Sequence, residues 1–199
     1  MKNEKMILMA ERIDTAVRVV RGFCLAGAII SAIFIPLTLI FKEDIIADAA
    51  ELKLDFLTLT VAEEAVPGFS SLMAAILLDL AVALIACLIL WYGANVFHRI
   101  LEPMKEGRPF GERTPEELRK LGWIVLIGGT VMQVGKVVVE YITTSAYDFN
   151  NIFNTDVVID VAVNFDFNVV YIVFALVIFL LAYIFSYGQE LQRESDETL

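Results

Sequence analysis

The sequence predicts an all-α transmembrane fold, a four-helix bundle with a small extracytoplasmic antiparallel β element built from its two outer loops. Three observations point there. Apolar residues make up 58% of the chain and gather in long, almost uncharged runs, whereas soluble domains average about 45–50% apolar residues. Lys and Arg concentrate on alternate connections between those runs. Between the runs, two segments alternate apolar and polar residues with the period of a strand.

A helix needs about 20 apolar residues to cross the hydrocarbon core, and four segments qualify, at about 22–41, 71–93, 121–141 and 169–187. The first and fourth carry no charge. The second carries Asp79 alone, and the third is apolar until Gln133, Lys136 and Glu140. The first run is too long for a signal-peptide core, and Lys42, Glu43 and Asp44 follow it rather than a small-residue cleavage site, so it reads as a retained span. The whole chain, 1–199, is then a single membrane domain, with outer loops at 42–70 and 142–168 and an inner loop at 94–120.

Orientation follows from the flanking cations. Lys2, Lys5, Arg12, Arg18 and Arg21 precede the first span. Arg99, Lys105, Arg108, Arg113, Arg119 and Lys120 lie between the second and third, against only Lys42 and Lys53 in the first outer loop and Lys136 near the second. Both termini and the central loop are therefore expected in the cytoplasm. Trp91, Tyr92, Trp123 and Tyr187 fall near the inner boundary and Tyr141 and Tyr171 near the outer one, where amphipathic rings settle.

In the first outer loop Leu52, Leu54 and Phe56 alternate with Glu51, Lys53 and Asp55, and the phase then slips to Leu57, Leu59 and Val61. Such a slip marks a bulge or turn. In the second, Ile159, Val161, Val163, Phe165 and Phe167 share one face. The two segments are expected to pair as one antiparallel sheet capping the outer end, the alternative being two independent extended loops. The flanks are acidic, but 148–156 does not fit an EF-hand, and no metal or other cofactor is expected.

Asp79 lies about 12 Å inside the outer boundary of its span, level with Gln133 on the antiparallel third span. Gln133, Lys136 and Glu140, spaced i, i+3, i+7, share one helix face. A lone carboxylate in lipid costs at least about 2.5–3.5 kcal/mol on insertion scales, so Asp79 is expected to meet Gln133 or Lys136. The cluster reads either as a packing lock or as an ion or proton relay, with the lock favoured because the cluster is small and shallow. Small residues such as Gly128, Gly129, Ala28 and Ser31 permit close helix contact, but neither helix has a GxxxG motif, and the oligomeric state stays open.

The inner loop holds a stop and a start. The second helix is expected to end near Gly107, with Pro109 blocking continuation. Thr114 then caps a new helix, with Pro115 at its first position and Glu117 closing a capping box. The Gly107–Phe110 stretch, the capped helix after it and the tail from Tyr187 to Leu199, together with the four-span layout, resemble the bacterial family catalogued as domain of unknown function 2975. The resemblance covers most of the chain, and the outer loops carry no recognised part of it. Members of that family are often encoded beside a small Cro/CI-type helix-turn-helix regulator, so the resemblance implies such a protein as a cytoplasmic partner. The surface expected to receive it is Gly107, Arg108, Pro109, Phe110 and Arg113, with the acidic tail at Glu190, Glu194, Asp196 and Glu197.

Net charge is −10, with no basic face for direct nucleic-acid binding. Cys24 and Cys87 lie in apolar runs as small hydrophobes. His98 is the single histidine and reads as interfacial. No HExxH, CxxC, GxSxG or phosphate loop occurs, and nucleophile–base pairs cannot be assembled, so enzyme activity is not expected. The leading reading is a regulatory or sensory protein of the bacterial cytoplasmic membrane, with the lipid bilayer as solvent. The alternative is a small transporter or channel subunit working through Asp79, Gln133 and Lys136.

Overall fold

A computed structural model describes residues 2–41, 51–54, 57–60, 68–107, 111–147 and 168–197. Four long helices carry the fold: α1 (Lys2–Ile40), α2 (Phe69–Lys105), α3 (Thr114–Tyr147) and α4 (Val170–Glu197). Between α1 and α2, β1 (Glu51–Leu54) pairs antiparallel with β2 (Leu57–Thr60), with Glu51 opposite Thr60 and Leu54 opposite Leu57.

Each helix holds a stretch long and apolar enough to cross a membrane. At 1.5 Å per residue α1 is about 58 Å long, nearly twice the roughly 30 Å of hydrocarbon. Its first twenty residues, which the sequence analysis leaves outside the span, continue the same helix. Many large apolar side chains face outward, unlike those of a soluble bundle. The buried positions include Ala10, Ala28, Ala75, Ala175 and Ala182, while Phe23 (75% exposed), Leu180 (58%) and Phe174 (59%) point outward. Small residues at many helix contacts and large apolar ones facing outward are the arrangement of helices packed in lipid. The chain is a multi-pass membrane protein.

The chain divides into two compact units. One comprises residues 1–28, 85–131 and 168–199, the other 29–84 and 132–167. In the first, α2, α3 and α4 pack together around Val96, Ile100, Leu118 and Ala182, flanked by Phe97, Leu121, Ile178 and Phe185. In the second, Leu72, Met73 and Ala75 are buried along α2. There α2 and α3 touch where a Cβ on Gly135 would come within 2.9 Å of Val82.

The hairpin lies where the alternation slips phase. The predicted single sheet joining both outer segments finds no support: the first segment pairs with itself, and 157–167 lies outside the described residues. A two-residue connection lets neighbouring strands pair locally, without the loop-closure entropy of reaching a segment about a hundred residues away.

Candidate functional site

The first unit contains a polar cluster for which composition gave no warning. Asp14 on α1 is 1% exposed. Its carboxylate receives Lys105 Nζ at 2.5 Å and Arg18 Nη2 at 3.1 Å, and His98 Nδ1 donates to its other oxygen. The opposite ring nitrogen of His98 lies 3.7 Å from Glu102. Arg18 is one turn along from Asp14, so that pair needs only helical spacing. Lys105 and His98 come from α2 and lie seven residues apart, two turns along one face.

Burial alone would raise the Asp14 pKa, but the hydrogen bonds and positive charge of Lys105 and His98 outweigh it and lower the value to about 2. Asp14 sits eight residues before the first predicted span, at the level of the Lys- and Arg-rich ends. Farther along, Arg21 Nη1 donates to Asn95 Oδ1 at 3.1 Å, and Asn95 donates to the Trp91 carbonyl at 2.8 Å. These contacts fasten the first half of α1 along α2. A carboxylate closed in by three basic groups serves as a clasp, and His98 is occupied by it rather than held ready as a free base.

The connection after α2 is built on this clasp. Lys105 is the last residue of α2, and Gly107 has φ +79°. That left-handed conformation is the one glycine adopts at a helix C-terminus, so the predicted stop is where the sequence analysis put it. Gly111 packs against α2: an added Cβ would lie 2.6 Å from Pro103. Gln189 Nε2 on α4 donates to the Gly111 carbonyl. The connection is therefore tied to two helices beyond the one it leads into.

Helix α3 starts at Thr114 as expected, but the capping box does not form. The Glu117 amide donates to the Arg113 carbonyl at 3.0 Å, and the buried Thr114 hydroxyl has no hydrogen-bond partner. The Arg113 carbonyl has already taken the donor the hydroxyl would need. The Glu117 carboxylate turns to cations instead, with Lys120 Nζ at 2.6 Å and Arg99 Nη1 at 3.9 Å.

Of the residues singled out for partner binding, Arg113, Glu190 and Glu194 are exposed and Gly107 is half-buried. Arg108, Pro109 and Phe110 lie outside the described residues. The acidic tail is a continuation of α4 as far as Glu197. Lys136 pairs with Glu140 at 3.4 Å, one turn along its own helix, instead of crossing to Asp79. Asp79 is exposed and Gln133 half-buried. An i, i+4 pair needs no tertiary alignment, so it forms ahead of an interhelical one.

No curated protein and no solved structure matches the chain. One family model does, over residues 45–199. The matched stretch takes in the outer loops and leaves out α1, so the family relation is broader there than the sequence motifs suggested. It contains His98 and Lys105 but not Asp14, the residue they hold. On this match the chain belongs to the family described as protein of unknown function (DUF2975).

Proposed function

We propose that this protein is a non-enzymatic regulatory or sensory component of the bacterial cytoplasmic membrane, with both termini in the cytoplasm, and that its cytoplasmic end docks a protein partner. The observation that carries the reading is the tethering of the Gly107–Arg113 connection. It leaves α2 two residues after Lys105, which grips Asp14 on α1, and its Gly111 carbonyl is held by Gln189 on α4. A surface tied to all the helices of its unit shifts when they repack, and a partner resting on it feels the shift. Discrete rearrangements of packed helices are a recognised means of such switching.

The acidic groups beside that connection suit a basic partner. Exposed Glu190 and Glu194 lie on α4 within five residues of Gln189, and acidic groups can cover the phosphate-binding face of a small helix-turn-helix protein. That partner class comes from the family resemblance. The transporter reading draws less support, because Lys136 is paired within its own helix and the polar side chains that are most deeply buried lie elsewhere.

The test is capture of the partner from native membranes. The protein is solubilised in mild detergent from cells that also express a small Cro/CI-type helix-turn-helix regulator. The regulator is expected to copurify, and to be lost when Glu190 and Glu194 are both changed to Gln. Recovery of the membrane protein alone, from wild-type and variant alike, overturns the docking reading.

A further inference from the structure

Within the first unit, an apolar groove of about 360 Å³ opens between α2 and α3. Leu88, Ile89 and Tyr92 line it from one side and Trp123, Ile127 and Gly128 from the other. The helices nearly touch at its floor, where a Cβ on Gly128 would fall 2.7 Å from Ile89. Trp123 stands as a wall, braced edge-on by Phe179 at 5.5 Å while 55% of it stays exposed. The volume falls within the range of sites that hold small ligands.

The groove has a charged mouth. Continuing down the same helix faces, seven residues from Tyr92 lies Arg99, and three residues before Trp123 lies Lys120. Arg99 and Lys120 converge on Glu117 at 3.9 and 2.6 Å. The carboxylate is 9% exposed and the cations 56% and 51%, so positive charge faces outward and the anion lies beneath. One Glu117 oxygen has no hydrogen bond. Two cations against one carboxylate leave this trio with net charge +1.

We infer that this groove is a binding site for an anionic phospholipid, with an acyl chain against Leu88, Ile89 and Ile127 and the phosphate on Arg99 and Lys120. Three features select that occupant together. The groove wall is a bilayer-facing surface of a membrane protein. Tyr92 and Trp123 mark the interfacial depth that aromatic rings prefer. Directly beyond them lie the cations, and basic sites between transmembrane helices recognise acidic headgroups. A zwitterionic lipid fills the groove equally well but gains nothing from the surplus charge. The inference stands apart from the partner-docking reading, since it concerns the lipid face of α2 and α3.

The chain has two tryptophans, so Trp91→Phe leaves Trp123 as the sole reporter at the groove. This protein is reconstituted in phosphatidylcholine vesicles in which one fifth of the lipid carries brominated chains, either as phosphatidylglycerol or as phosphatidylcholine. Brominated phosphatidylglycerol is expected to compete for the site about fivefold better, the effect of one surface cation on anionic-lipid binding. Raising salt should erase most of that preference. Arg99→Gln with Lys120→Gln should abolish it, and Glu117→Gln should increase it. Opposite signs in the two variants cannot come from misfolding. Equal quenching by both lipids under all conditions means ordinary annular lipid and overturns the inference. Absence of quenching by either lipid means that another helix covers the groove, and overturns it too.

Discussion

Asp14 and Lys105 meet at 2.5 Å, one on the helix that begins the chain and the other on the last residue of α2, and the carboxylate between them is almost wholly buried. Replacing Asp14 with Asn keeps the shape but removes the charge that Lys105 and His98 face. A hydrogen bond to a charged group is worth about 1.5–3 kcal/mol, and loss of that order is expected in the unfolding free energy of the detergent-solubilised protein. Lys105→Met should cost a similar amount. The double variant should lose much less than the sum, because each single change already breaks the contact. Strict additivity in that cycle would show that the two residues do not act as a pair.

The same carboxylate gives the stability a defined acid dependence. Its pKa falls from 3.8 in the free side chain to about 2 in the folded protein. A lowered folded value means that the unfolded chain takes up the proton first as pH drops. The contribution is thus fully present above pH 4 and lost between about 4 and 2. Its size is on the order of 2 kcal/mol. The difference in stability between wild type and Asp14→Asn should stay level from pH 6 down to 5 and shrink by pH 3. A gap that widens on acidification would reverse the sign and contradict the geometry.

Gly129 on α3 faces Tyr171 on α4, and an added Cβ would fall 2.7 Å from the tyrosine Cβ. That atom is anchored to the α4 backbone, so the helices themselves must part. At Gly122 the obstacle is the rim of the Phe179 ring, at 2.6 Å, and a ring can rotate away. Overpacking costs about 1–3 kcal/mol. Thermal melts in detergent should therefore place Gly129→Ala near the top of that range and Gly122→Ala near the bottom. Pairing Gly129→Ala with Tyr171→Ala should recover part of the loss.

Much of this was legible in the sequence, and the reasons for the failures are specific. The four apolar stretches and the stop of α2 just before Gly107 could be read directly, because a long apolar run and a glycine followed two residues on by proline are plain in the residues themselves. The first half of α1 was not, because hydropathy averages over a helix and Glu4, Lys5, Glu11, Arg12, Asp14, Arg18 and Arg21 depress that average. A face-specific signal was present. Ala10, Val17, Cys24, Ser31 and Thr38 recur every seven residues, as do Asp14, Arg21, Ala28 and Ile35, and all are buried or half-buried. That is the seam of a packed helix, made here of small and polar residues as lipid requires. The Thr114 box failed for a subtler reason: the motif has the right spacing, but the Glu117 amide is already spent on Arg113. Asp79 is exposed, and depth in a span does not say which way a side chain faces.

Gly107 is the one described glycine with positive φ, at +79°. An L-residue there takes a left-handed conformation that costs roughly 1–2 kcal/mol. Space is not the obstacle, since the nearest atom to an added Cβ is Ile7 Cδ1 at 3.9 Å. Gly107→Ala should lower stability by about that amount, and Gly107→Asn by less, because asparagine tolerates the left-handed region. Equal costs for the two would mean that something other than backbone conformation is at stake.

The orientation proposed from the Lys and Arg distribution can be checked at two positions on opposite sides of the membrane. With Cys24 and Cys87 replaced by Ala, single cysteines are introduced at Arg113, in the turn before α3, and at Thr58, in β2. An impermeant maleimide added to intact cells should label position 58 and leave 113 untouched. Permeabilisation should then expose 113, which is exposed in the structure. The positive-inside rule counts charges in short loops close to the spans, and the connection carrying Arg113 has six of them between residues 99 and 120. Labelling of 113 and not 58 in intact cells would invert the topology and place the proposed docking surface outside the cell. It would leave the Asp14 clasp, the groove and the helix packing as they stand, since those depend on side-chain geometry and not on which compartment each end faces.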